Sequence, residues 1–426
     1  MAINYQCVYF KGVIMKFSPF KEKGTPIEKQ IQSWSEVIPQ PYDKENIDPY
    51  SKARIILMNG IEVEAAMFLH QFHRNCNDND LRRQLAQSRF IEQLHQKKMN
   101  WQSPPDESIL ETTIGYEQLA VDLTAWLAQN EPDKNVKASL DFALLEDFDH
   151  LYRYANLLAM DEGIKAEKLV GKYTEIMPGR PTIAHHRHPK DNVKTHTDFK
   201  KAKIQTKLNT QIIVAGEQQT MNFYNNVGPI YKNSLGRDLY LEIAMVEEEH
   251  VTQYGSLLDP NASWLENMLL HEYTECYLYY SFYQTETDNK LKLLWEEQLN
   301  QELTHLQTAA KLLEKYEKKS YLEVVEEEFP SILELKPNVE YVREVLKNTV
   351  SFTNNEEGYI DVNELSKDSR FISHQKIINN EYVPSHEVIQ EHIKHEDKDY
   401  RFEVEKHPIK ELQNRKEDNT VIGILK

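Results

Sequence analysis

Apolar residues recur at helical spacing along eight long stretches of the chain, with short polar breakers between them. ARIILMNGIEVEAAMFLHQF and LRRQLAQSRFIEQLHQKKMNW read as helices on either side of the turn NCNDND. SPPDES then interrupts the chain. ILETTIGYEQLAVDLTAWLAQ starts a third helix behind Ser and Asp capping residues, and NEPDKN leads into a fourth, KASLDFALLEDFDHLYRYANLLAM. The succession recurs as LNTQIIVAGEQQTMNFYNNV, LGRDLYLEIAMVEEEHVTQYGSLL, the breaker DPNAS, WLENMLLHEYTECYLYYSFYQ and KLKLLWEEQLNQELTHLQTAAKLLEKY. The pattern predicts an all-α fold of two four-helix repeats, over residues 51–160 and 210–318. A connector, 161–209, carries PGRPTIAHHRHP and little periodicity. Residues 1–50 and 319–426 read as polar extensions without a core of their own, with YVPSHEVIQEHIKHEDKDYRF as one short helical candidate.

Composition narrows the class. Only 13 Gly in 426 residues leaves few turns. The 68 acidic against 50 basic residues give a net charge of −18, which argues against nucleic acid as a partner because phosphate binding needs clustered positive charge. Cys7, Cys76 and Cys276 lie far apart in sequence, so they form neither a disulfide framework nor a CxxC zinc or rubredoxin-type iron site. A reduced, cytoplasmic protein is the expectation. No apolar run approaches the ~18–20 residues of a spanning helix, and MAINYQCVYFKG lacks a basic-then-apolar leader, so neither a membrane nor that export route is expected.

The histidines carry the chemical signal. Four of them follow an acidic residue by three positions: Glu92/His95, Asp147/His150, Glu247/His250 and Glu302/His305. Counting 30 residues back from each acid reaches Glu62, Glu117, Glu217 and Glu272. Glu62 to Glu117 and Glu217 to Glu272 are both 55 residues, and every member of the first pair of units reappears 155 residues later, as does Pro105 at Pro260. Six coincidences at one offset read as an internal tandem duplication.

Residues three apart on a helix project from one face, so each acid and its histidine stand side by side. Carboxylates near the middle of core-facing helices cost several kcal/mol each unless paired, and a cation removes that cost. Carboxylates mixed with imidazole suit iron or manganese. Two helices giving one Glu and two giving an acid-x-x-His supply the set from which dinuclear carboxylate centres are built.

At these residues the chain resembles the ferritin-like di-iron carboxylate superfamily, and within it the rubrerythrin-like branch, twice over. The resemblance implies two ligand sets: Glu62, Glu92, His95, Glu117, Asp147 and His150, then Glu217, Glu247, His250, Glu272, Glu302 and His305. It implies two dinuclear iron centres, with manganese as the variant metal, and a di-iron oxidoreductase using O2 or hydrogen peroxide. Ferroxidase, peroxidase and oxygenase chemistries share these ligands. Lacking a CxxC iron site, the chain would draw electrons from an external donor or from Fe(II) itself. A homo-oligomer is compatible with this reading. Dimanganese catalase is the nearest variant, and a non-catalytic iron-binding or structural helical bundle is the alternative of another class. Two departures stand out. Asp147 replaces a Glu, and its shorter arm would shift a bridging contact. The resemblance also implies a further carboxylate one turn on in the third helix, a catalytic role that Glu275 fits; its counterpart is Ala120.

The bland readings apply to the remaining candidates. Glu64, Glu146, Glu248, Glu249 and Glu297 sit beside ligands but off the lattice and read as solvated or supporting groups. His185, His186 and His188 look like a metal cluster but read first as an exposed or hydrogen-bonded loop, and His386, His392 and His395 carry a weaker metal signal still. Tyr273, Tyr277, Tyr279, Tyr280, Phe282 and Tyr283 read as core packing, and Cys276 as a small buried residue. The short breakers force the second and third helices of each repeat to run antiparallel, whereas ferritin topology needs a long crossover, and the connector is the one long link. Either each repeat closes on itself, or the helices centred on 117, 147, 217 and 247 group together and those on 62, 92, 272 and 302 form the other group.

Overall fold

A computed structural model describes residues 17–416; Cys7 and the MAINYQCVYFKG segment lie outside the described residues. The chain divides into two units. The larger comprises Gln32–Asn261 and Glu334–Lys426, the smaller Met1–Ile31 and Ala262–Leu333. The boundary at Asn261 falls inside the second repeat as read from sequence.

In the larger unit a one-turn helix α1 (Trp34–Val37) precedes α2 (Pro49–Asn75), α3 (Asn79–Asn100), α4 (Ile109–Asn130) and α5 (Lys134–Glu162). Each long helix starts where a polar side chain takes up free backbone N–H groups. Asp48 accepts from Tyr50, Asp78 from Asp80 and Leu81, and Asp133 from Asn135 and Val136, while Ser108 and Glu111 form a capping box. Gly163 ends α5 with φ 66°, a left-handed conformation that suits glycine. After the short α6 (Ala166–Leu169) the connector runs to α7 (Ile204–Val227) and α8 (Ser234–Gly255). Helix α4 packs along α5 and against α7, and α8 packs along α7 and against α5, closing a ring of four; α2 lies on α4 and α7 and pairs with α3. The apolar interior includes Ile114, Val121, Leu144, Leu151, Leu239 and Ile243.

The smaller unit is built on α9 (Trp264–Thr285) packed along α10 (Asn289–Glu317). Its aromatic run packs as expected: the Tyr280 ring stacks on Phe17, and Tyr273 and Tyr277 meet Phe329 edge-on. Cys276 is fully buried.

The C-terminal segment adds α11 (Val339–Thr349), a hairpin of β1 (Phe352–Asn355) and β2 (Gly358–Asp361), α12 (Arg370–Ile378) and α13 (Pro384–Glu396) to the larger unit. Read as an extension without its own core, it supplies Leu346, Val388, Ile389 and Leu412 to the interior around α5 and α8. The mostly helical expectation holds, and the antiparallel hairpin is an addition to it. Its register runs from Phe352 opposite Asp361 to Asn355 opposite Gly358, around a turn in which Glu356 takes φ 55°. Among the described residues no helix is long and apolar enough to cross a membrane.

One glycine fixes how the connector meets α5. A Cβ on Gly179 would lie 2.5 Å from the Leu145 carbonyl oxygen and 3.0 Å from the Asp149 nitrogen. Gly216, within α7, has only Leu123 at 3.9 Å. Gly179→Ala is therefore expected to lose about 1–3 kcal/mol in urea unfolding, whereas Gly216→Ala gains up to about 1 kcal/mol from helix propensity. Equal effects at the two positions would refute close packing of the connector on α5.

Candidate metal centre

The ring of four helices brings six of the sequence-derived ligands into one interior. Glu117 comes from α4, Asp147 and His150 from α5, Glu217 from α7, and Glu247 and His250 from α8. None is more than 2% exposed. Two groups have ligating atoms mutually within 4.8 Å: Asp147, Glu217, Glu247 and His250, and Glu117, His150 and Glu247. Glu247 belongs to both. Asp147, with its shorter arm, belongs to one.

The remaining ligands are divided between the units. In the larger, His95 Nδ1 lies 3.7 Å from Glu62 and 3.6 Å from Glu92. In the smaller, His305 Nδ1 lies 3.0 Å from Glu302 and 3.8 Å from Glu272, and its Nε2 meets Gln30 Oε1 at 2.7 Å. Glu275 is buried on α9 one turn from Glu272, in a different unit from Glu217 and Glu247. Ligands grouped by repeat in the sequence are thus not grouped by repeat in space: Glu117, Asp147 and His150 meet Glu217, Glu247 and His250.

In the six-residue cluster only one inward pair is hydrogen-bonded, His250 Nδ1 to Glu247 Oε2 at 3.2 Å. His150 Nδ1 is 3.0 Å from Glu247 Oε1, and His250 Nδ1 is 3.4 Å from Asp147 and 3.5 Å from Glu217. Yet His150 Nδ1, both Asp147 oxygens, Glu117 Oε2, Glu217 Oε1 and Glu247 Oε1 have no hydrogen-bond partner. Buried polar atoms are rarely left so. Carboxylates crowded together and left largely unpartnered fit cations placed between them.

The outer nitrogens fix the tautomers. His185 Nε2 meets the Arg180 carbonyl at 2.6 Å, and a carbonyl only accepts, so a neutral His185 carries its proton there and accepts at Nδ1 from His150 Nε2, 3.2 Å away. Burial, foremost, holds the His185 pKa well below its ordinary value. His150 then turns an unprotonated Nδ1 to the cluster. His250 Nε2 donates to Glu146 at 2.7 Å; burial opposes its charge, but Glu217, Glu146 and Glu247 outweigh it and hold its pKa well above its ordinary value, so a cation would replace the proton on its inward Nδ1. This is how metal-binding imidazoles are oriented.

Electrostatics agree. Burial raises every carboxyl in the cluster, and the neighbouring carboxylates add to it, so that Glu117 and Asp147 stand well above their usual range and Glu217 reaches about 7. At Glu247 the two histidines outweigh burial and hold the carboxyl low.

The connector supplies what the spacing did not reveal. His185 and His186, read as an exposed or bonded loop, are fully enclosed. Arg187 meets Glu146 at 2.9 Å, Arg180 meets it at 3.1 Å, and Arg187 also reaches Glu249 at 3.3 Å. Glu146 and Glu249 are therefore supporting groups. Asp149, between Asp147 and His150 in sequence, accepts from Arg153, from the Gly179 and Thr182 amides and from the Thr182 hydroxyl. Among the described residues the arginines and Asp149 were the residues sequence reasoning missed; the run Gly179-Arg180 to Arg187 was the available signal.

No family model, curated protein or solved structure matches the chain. The reading of the site rests on its geometry.

Burial opposes ionisation of Asp149, but Arg153 and the other donors outweigh it and bring its pKa to about 2. A lowered carboxyl pKa stabilises the fold above the unfolded value and loses that contribution as pH falls through the folded one. The stability gap between wild type and Asp149→Asn is expected to shrink by about 2 kcal/mol between pH 4 and pH 2, measured by urea unfolding. A pH-independent gap would remove this carboxylate from the acid response.

Proposed function

We propose that the larger unit holds a dinuclear metal centre, iron with manganese as the variant, in a ferritin-like four-helix bundle assembled from both copies of a tandem duplication, and that it carries out redox chemistry with O2 or hydrogen peroxide in the reducing cytoplasm. One observation carries the reading: four carboxylates and two imidazoles from four helices converge, wholly buried, with six of their polar atoms unpartnered. Two divalent cations would neutralise four carboxylates, and the donor set, one Glu from each of two helices and an acid-x-x-His from each of the other two, is that of such centres.

Bound iron supplies one-electron steps and positions open to an oxygen species. The chain does the rest. Glu247 is placed to serve both cations, Asp147 to serve one, and His150 and His250 to face one each. Glu146, His185 and the arginines keep both rings turned inward. Electrons come from an external donor or from Fe(II).

Loaded with Fe(II), the chain is expected to hold two ions at this cluster by elemental analysis; Glu247→Ala loses both, His150→Ala one, and His95→Ala neither. Because Glu117, Asp147 and Glu217 retain protons when metal-free, uptake should release protons and weaken as pH falls through about 7. Near-ultraviolet absorbance on adding O2 or hydrogen peroxide separates turnover from storage. Full occupancy without oxidation would favour a non-catalytic metal-holding bundle, and a loaded chain without transition metal would overturn the metal reading.

A further inference from the structure

Two tyrosines repeat the symmetry of the cluster. Asp147-x-x-His150-x-x-x-Tyr154 and Glu247-x-x-His250-x-x-x-Tyr254 place a phenol one helical turn beyond each clustered histidine, on the same side of the helix. The two other acid-x-x-His elements carry Met99 and Ala309 at that position. Both phenol oxygens are buried without a hydrogen-bond partner.

That bareness is selective. The Tyr154 ring packs at a tilt against Tyr224 and Tyr240, ring centroids 5.3 and 4.9 Å away. Tyr224 donates to Glu117 Oε1, and Tyr240 shares a hydrogen bond of 2.7 Å with Thr113. The Tyr254 ring lies 6.3 Å from that of His250. An interior hydroxyl left unbonded is costly, and here two are left so at equivalent places. Beyond burial, the carboxylates acting on Tyr154 include Glu117 and Glu247, and those on Tyr254 include Glu217 and Asp147. These are members of the two ligand groups, one group to each phenol.

We infer that Tyr154 and Tyr254 are paired hydrogen-bond donors to a small anion bound at the cluster, one phenol for each cation position. Burial and the surrounding acids keep both phenols protonated, so they donate and do not ligate as phenolates. The inference rests on the metal reading above and adds to it the class of exogenous ligand.

The test uses the full chain loaded with Co(II), whose visible bands report ligand binding without redox change, titrated with azide. Tyr154→Phe and Tyr254→Phe are each expected to weaken azide binding roughly fivefold or more with cobalt content unchanged. In the metal-free state each Phe variant should unfold at a temperature equal to or above that of wild type, since the hydroxyl has no partner to lose. Azide affinities within twofold of wild type, or a lower unfolding temperature in both metal-free variants, would overturn the inference while leaving the metal reading intact. So would a charge-transfer band in the Fe(III)-loaded protein that disappears with either phenol, which would make the tyrosines direct ligands. A wild-type chain that retains no cobalt would overturn both.

Discussion

Four carboxylates held within a few ångströms of one another in an apolar interior repel unless something neutralises them, and the organisation of the larger unit follows from that constraint. Each helix of the ring carries its ligands near its middle, where apolar side chains above and below exclude water. In water such charges would interact weakly; in a buried site the effective dielectric is several times lower and the repulsion correspondingly larger. The metal-free chain eases it by protonation, which is why Glu117 and Asp147 stand high while Glu247, flanked by two imidazoles, stands low. Bringing all six groups together is stable only with protons or cations in the cluster.

Around the cluster lies a second layer of opposite sign. Arg180 and Arg187 descend from the connector onto Glu146, which in turn accepts from His250. The layer depends on backbone proximity: Gly179 lets the connector lie flat on α5, and from there Arg180 and His185 reach the site. Two buried guanidinium groups would be costly alone. Paired with a carboxylate that also orients a ligand, they give the connector a precise seat.

Much of this was legible in the sequence. Helical spacing and capping residues such as Asp48, Ser108 and Asp133 mark where the long helices begin, and the regular interval from acid to acid-x-x-His picks out side chains that prove to be buried. What spacing does not encode is which helices share an interior. Glu117 and Glu217 are 100 residues apart in the chain and meet because α4 packs on α7. The polar run His185-His186-Arg187 looks solvated because its residue types usually are, yet its partners are the buried carboxylates of α5 and α8. The hairpin at Phe352–Asp361 was hidden by a polar context. Tyr154 and Tyr254, by contrast, were visible as an extension of the acid-x-x-His pattern, but only their buried, unpaired hydroxyls give the extension a meaning.

The division of the cluster across the connector has a temporal side. At about 5–20 residues per second, several seconds of synthesis separate His150 from Glu217. Through that interval α4 and α5 stand with their ligand face open, Arg180 and His185 arriving before the helices that complete the enclosure. A chain cut short within the connector would carry only half of the cluster's residues. The cluster is therefore complete only after α8 has been made, so any cation taken up there meets a finished interior and not a growing one.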